Sequence, residues 1–98
     1  MTNNAIHIAL LTLDLMIPGS ESLKSKRRVL QSLKERIRNK YNVAIAEVGE
    51  LDKWQRSVIA LTSVSNDHDH LAAMMSEVMK LAELQLQAQI IDSHLDFL

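Results

Sequence analysis

Residues 22–41 read SLKSKRRVLQSLKERIRNKY, and this segment decides how the rest of the chain is arranged. At about 100° per residue, its apolar side chains fall within one arc, which predicts an amphipathic helix with a single core-facing stripe. The stripe consists of Leu23, Val29, Leu30, Leu33, Ile37 and Tyr41. Ser22 is the predicted N-cap, because its hydroxyl can accept a hydrogen bond from a first-turn amide.

The same segment concentrates the positive charge of the protein. It holds eight of the eleven Lys and Arg residues and one acid, Glu35, whereas the rest of the chain holds three basic residues and eleven acids. The formal net charge of the whole chain is −1. Charge is therefore segregated, which indicates one surface attractive to anions on an otherwise acidic body.

Five of the eight positive side chains of this segment are predicted to lie on one flank of the stripe, where Glu35 is the only acid. The flank consists of Lys24, Arg27, Arg28, Lys34 and Arg38. Its first members occupy the helix start, where free amides and the helix dipole already favour anions. Lys26 points into the stripe, so it must extend its ammonium to the surface or meet an acid. Two interpretations stay open: a solvated basic face, or a phosphate-binding face to which Lys26 contributes.

Length and composition restrict the class of protein. Ninety-eight residues suit a single domain, and we expect residues 1–4 to be a loose tail. Without cysteine, the chain has no disulfide or thiolate site, which fits the cytoplasm, the predicted location. The N-terminus lacks a basic leader and a small-residue cleavage site, and no apolar run approaches about 18 residues. We therefore expect neither a signal peptide nor a membrane span.

The remaining patterns predict the order β-α-β-β-α-β. Strands are predicted at 5–17, 42–50 and 54–64, and a fourth, half-buried or edge strand within 84–97. The second helix is predicted at 67–83; its cap signal is Ser65, Asn66 and Asp67, of which Asn66 is taken as the N-cap. This order predicts an α+β fold, a ferredoxin-like sandwich with a four-stranded antiparallel sheet and two helices on one face. The first and third strands read apolar on both faces, as the central strands of that topology should.

The sheet face without helices is a candidate interface. Central strands present apolar residues to it, and a contiguous apolar patch there predicts self-association, most simply as a homodimer. The candidate interface residues are Ile6, Ile8, Leu10, Val58, Ala60 and, at the start of the third strand, Trp54. Trp54 is interpreted first as a core residue at the rim and second as a residue that grips a partner. No aromatic lies in the middle of the first or third strand, which disfavours RNA recognition by stacking on the sheet.

Candidate chemistry is sparse. His68 and His70 lie two residues apart at a predicted helix start, where their rings diverge, so capping and surface polarity explain them better than a metal site. Asp14 and Glu47 lie in strands, and we expect one of them to pair with Lys26 or Arg56 rather than to act in catalysis. No phosphate-binding glycine loop, nucleophile motif or zinc motif occurs. We therefore expect no enzyme activity, no catalytic residue, no metal and no cofactor.

Several motifs together resemble those of the YlxP-like family, small bacterial proteins classed as a domain of unknown function. The matching residues are SLKSKR at 22–27 after IPG at 17–19, YNVAIAEV at 41–48, DKWQR at 52–56 and SND at 65–67. The resemblance extends from about residue 6 to 91 and implies a ferredoxin-like fold, with no established reaction or cofactor. The genes of the family often neighbour those for translation initiation and ribosome maturation factors, which favours an RNA or ribosome partner only by association.

The leading hypothesis is a non-enzymatic protein that contacts RNA or the ribosome through phosphates on the basic helix. One rival is a structural module that self-associates through the open sheet face and binds no nucleic acid. A second rival is a small-molecule-binding domain or enzyme, because ferredoxin-like sheets carry many functions and such a site would need a defined pocket.

Overall fold

The first strand sets the inner and outer surfaces of the molecule. A computed structural model describes residues 5–98; the predicted loose tail at 1–4 lies outside them. Strand β1 is His7–Met16, and its odd-numbered residues from Ala9 to Leu15 are buried. Side chains alternate along a strand, so Leu10, Thr12 and Asp14 point to the opposite face. A turn at Pro18 and Gly19 ends the strand, as the sequence predicts.

Helix α1, Leu23–Arg38, forms where the 22–41 segment predicts it. The Ser22 hydroxyl accepts a hydrogen bond from the Ser25 amide at 2.9 Å, which confirms the predicted N-cap. The apolar stripe is buried in the core through Val29, Leu30, Leu33 and Ile37. The helix has no acid in its first turn, so its cations there lack the usual dipole compensation.

Strands β2, Ala44–Gly49, and β3, Arg56–Ser65, form an antiparallel pair. The register shifts between Glu47 and Gly49, where a Cβ on Gly49 would lie 3.1 Å from the Cβ of Val58. Glu50 follows with a positive φ of 56°, a conformation that costs energy for a residue other than glycine. Strand β3 begins two residues later than predicted, which leaves Trp54 in the β2–β3 connection.

Helix α2, His68–Glu83, buries Leu71, Met75 and Val78 against the sheet. Its N-cap is Asp67, whose carboxylate accepts hydrogen bonds from the amides of Asp69 and His70. The prediction of Asn66 as N-cap is therefore wrong by one residue. Two candidate caps stood side by side, and the carboxylate also gains from the helix dipole.

Strand β4, Gln89–Phe97, begins five residues later than the predicted segment. Residues 84–88 form a turn after α2, in which Gln85 is buried and Leu86 is 98% exposed. The alternation of Leu and Gln at 84–87 therefore did not indicate a strand, because in this turn a Gln is buried and a Leu is exposed. The predicted edge position of the strand is confirmed.

The sheet order β2-β3-β1-β4 places β1 and β3 in the centre, as predicted. The pairings β2–β3, β3–β1 and β1–β4 are all antiparallel. Helices α1 and α2 bury their apolar stripes in one common core. The predicted ferredoxin-like β-α-β-β-α-β sandwich is confirmed. Neither helix within residues 5–98 is long and apolar enough to cross a membrane.

Candidate nucleic-acid interface

The basic flank of α1 faces solvent beside edge strand β2. Lys24, Arg27, Arg28 and Arg38 are exposed, and Lys34 is half-buried. Arg38 reaches β2, since its Nη2 donates to the Ile45 carbonyl at 3.4 Å. Helix periodicity therefore places these five predicted side chains on one flank, where they can meet a common partner.

None of these five side chains forms an ion pair within residues 5–98. By contrast, the basic residues Lys26, Arg56 and Lys80 each contact a carboxylate within 3.4 Å. Glu35, the acid within α1, accepts a hydrogen bond from the Gln31 amide at 2.9 Å. No direct ion pair thus neutralises the flank within the described residues, although Glu35 and Glu47 line the same groove, and its excess of positive charge would attract an external anion.

An open groove of about 750 Å³ runs along this flank. Its lining includes Lys24, Arg27, Arg28, Gln31, Lys34 and Glu47. Sequence analysis did not find Gln31 or Glu47 as members of this surface. The one-flank spacing of Gln31 was visible in the sequence, whereas the position of Glu47 depends on where β2 packs.

Lys26 does not belong to this surface, and the prediction that it contacts phosphates is wrong. Its side chain is 1% exposed. Its ammonium lies 2.9 Å from Glu47 Oε2 and donates to the carbonyls of Glu50, Leu51 and Arg56 at 2.9, 3.3 and 3.2 Å. An ammonium has three donors, and four oxygens already surround this one, so no donor is left for an outside phosphate.

The two strand acids lie on opposite faces of the sheet. Glu47 pairs with Lys26 on the helix face and also accepts a hydrogen bond from the Ser57 hydroxyl at 2.7 Å. Asp14 lies on the open face and pairs with Arg56 at 3.0 Å. The expected pairing of an acid with Lys26 or Arg56 is confirmed, for both acids. Because the sheet separates them, the two carboxylates cannot act together on one substrate.

The open sheet face collects four of the six candidate interface residues. Ile8, Leu10, Val58 and Ala60 share this face, since Thr12 pairs with Ala60 and Asp14 with Val58. Ile6 precedes β1 and is 69% exposed. Strand β4 adds Asp92, His94 and Asp96 beside Asp14, Thr12 and Leu10, so the face is apolar on one side and acidic on the other.

Trp54, a further candidate interface residue, does not lie in a strand. It lies in the β2–β3 connection with 55% of its surface exposed, which contradicts its interpretation as a core residue at the rim. His68 and His70 lie at the start of α2, and His68 packs its ring 4.4 Å from that of Phe97. No group of three potential metal ligands occurs among residues 5–98.

A protein-family model described as "Protein of unknown function (DUF503)" matches residues 8–95 of this chain. "Uncharacterized protein YlxP" from Bacillus subtilis (strain 168) is 38% identical over 78 residues, which are 80% of this chain and 75% of that protein.

Solved structures share the fold at low identity. A "dimeric ferredoxin-like protein of unknown function" from Thermobifida fusca YX has a TM-score of 0.55 at 12% identity, covering 100% of this chain and 94% of that one. SnoaB, "a cofactor-independent oxygenase" from Streptomyces nogalater, has a TM-score of 0.53 at 14% identity, covering 96% and 92%. At such identities the likeness concerns the fold alone.

Proposed function

This chain belongs to the DUF503 family of proteins of unknown function, and we propose that it is a non-enzymatic RNA- or ribosome-associated protein that contacts phosphates through the basic flank of α1. The observation that carries the proposal is the clustering of the flank cations. Lys24, Arg27, Arg28 and Lys34 line one open groove, and none of the five flank cations has a carboxylate partner within residues 5–98.

The length of the flank favours a polymer of phosphates over one small anion. From Lys24 to Arg38 the helix rises by about 21 Å at about 1.5 Å per residue. Cations spread over such a distance can meet several successive phosphates, and each contact adds affinity without reading the base sequence. The cations at the helix start also oppose the dipole, which costs stability unless an anion binds there.

The test measures binding of ribosomal RNA or ribosomal subunits across a salt series, with wild type and the variant Lys24→Glu/Arg28→Glu. Log affinity of the wild type should fall linearly with log salt, by about 0.7–0.9 for each phosphate contact. The variant should lose about two such contacts from the slope and bind at least about tenfold more weakly at low salt.

Arg36→Glu/Lys80→Glu is the matched control, because it changes the net charge equally but away from the flank. It should bind nearly as well as wild type. Equal losses in both variants would mean that only net charge matters, and absence of wild-type binding at low salt would leave the flank as a solvated surface.

A second candidate function is self-association through the open sheet face. Its support is the apolar half of that face, where Ile8 is 37% and Val64 is 60% exposed on adjacent strands. The neighbour of the same fold from Thermobifida fusca YX is described as dimeric. Sedimentation of wild type and Leu10→Lys tests this candidate: a dimer that resists high salt and dissociates in the variant supports it, and a monomer at every concentration contradicts it.

A further inference from the structure

We propose that Trp54 is a stacking surface for an unpaired base of an RNA strand whose phosphates lie along the basic flank of α1. This contact rests on the phosphate-binding function proposed above and specifies the RNA: a single-stranded or looped segment rather than a regular duplex. It makes Trp54, which lies outside the basic helix, a second binding residue.

The indole is exposed where nothing in the core requires it. Trp54 is 55% exposed and its neighbour in the connection, Leu51, is 58% exposed. The packed core forms from both helices and the sheet without either residue. A large aromatic side chain held in water gains free energy when it is covered, so such residues commonly mark contact surfaces.

The connection that carries Trp54 is fixed on both sides. The buried ammonium of Lys26 donates to the carbonyls of Glu50 and Leu51 before the tryptophan and to that of Arg56 after it. The adjacent Gln55 carbonyl accepts from the Ile17 amide at 2.9 Å, and its side-chain amide donates to the Ser20 carbonyl at 3.2 Å. Binding to a backbone ordered in advance loses little conformational entropy.

The same Lys26 contacts place the connection against the first two turns of α1. Glu47, which holds the same ammonium at 2.9 Å and lies three residues before Glu50, lines one groove with Lys24, Arg27 and Arg28. A strand held by its phosphates on these three cations would therefore pass beside the connection. A base on that strand can then reach the indole, because unpaired bases are free to turn out of the strand.

Local acids favour RNA over an anionic membrane as the occupant. Glu50 and Asp52 lie in the connection with Trp54. These carboxylates would repel the phosphates of a membrane surface, which would cover the connection and the helix together. A single RNA strand can instead keep its phosphates over the helix and extend only an uncharged base to the indole.

The test uses the intrinsic fluorescence of Trp54, which is the single tryptophan of the chain. Full-length protein is titrated at low salt with a short oligoadenylate and with an RNA duplex of equal length. The oligoadenylate should quench the emission of the wild type. Binding of all variants, including those without tryptophan, is followed by the fluorescence anisotropy of a dye on the RNA, and Trp54→Ala should bind oligoadenylate about 5- to 150-fold more weakly, as expected for the loss of one stacked base.

Three further results separate stacking from phosphate contact. Trp54→Ala should keep the wild-type salt slope and the wild-type affinity for duplex, and Trp54→Phe should retain most of the affinity for oligoadenylate. Since the side chain is exposed, these variants should fold, which circular dichroism checks.

The results that would contradict the stacking contact differ from those that would contradict the phosphate surface. If Trp54→Ala binds oligoadenylate like wild type while Lys24→Glu/Arg28→Glu does not bind, the stacking contact is overturned and the phosphate surface stands. If wild type binds neither RNA at low salt, both proposals are overturned. If phosphatidylglycerol vesicles change the emission and RNA does not, the occupant is a membrane and the RNA contact is overturned.

Discussion

Lys26 and Lys24 are two residues apart on one helix and have opposite surroundings. Lys26 is 1% exposed and bonded to a carboxylate and three carbonyls. Lys24 is exposed and forms no ion pair within residues 5–98. The comparison teaches that a basic run in a sequence can contain two functions: one cation holds the molecule together, and its neighbours remain free for a partner.

The largest expected effect on stability comes from replacing the buried Lys26. Lys26→Met should lower the free energy of unfolding by about 3–5 kcal/mol, because Glu47 and three carbonyls would lose their buried donor. Chemical denaturation measures this loss. Lys24→Met is the matched control and should change stability by no more than about 0.5 kcal/mol. Equal stability of the two variants would contradict the structural role of Lys26.

The next effect concerns how Lys26 and Glu47 depend on each other. Glu47→Gln, made alone and together with Lys26→Met, completes a double-mutant cycle. Residues in direct contact couple by about 0.5–3 kcal/mol, so the double variant should lose less stability than the two single losses added together. Simple additivity in denaturation would mean that the carbonyls, and not Glu47, hold Lys26.

The smallest expected effect on stability comes from replacing the exposed Lys24, and it is a gain rather than a loss. Lys24→Glu should raise the free energy of unfolding by about 0.5–1 kcal/mol, because it puts an acid near the positive helix end and relieves the like-charge contact with Arg28, four residues on. The same change should weaken RNA binding. A destabilised Lys24→Glu variant would show that Lys24 also stabilises the fold. Lys24 and Lys26 would then differ less in their structural roles.

Much of the fold could be predicted from the sequence because its signals are local. Alternation in β1 and the helical spacing of Leu30, Leu33 and Ile37 follow from backbone geometry alone. The start of β4 was harder to predict, since the turn at 84–88 imitates the alternation of a strand. Adjacent cap candidates, Asn66 and Asp67, likewise left the start of α2 uncertain by one residue.

The candidate site was predictable in one part and not in the other. One-flank spacing was enough to group Lys24, Arg27 and Arg28 on a solvent-facing side. The fate of Lys26 was predicted as a choice between the surface and an acid. Which acid it meets depended on the packing of β2, whose register on β3 pairs Glu47 with Ile59.

By itself, the sequence determined the element order, the ferredoxin-like sandwich and the segregation of charge onto one helix, because these depend on residue type and on the 3.6- and 2-residue periods of the backbone. Only the tertiary structure decided that Lys26 is internal, that Asp14 and Glu47 lie on opposite faces, and that Trp54 is exposed in the β2–β3 connection. Each of these features depends on residues that are distant in the chain. Strand register and the path of the connections determine how such residues meet, and no local sequence pattern encodes either.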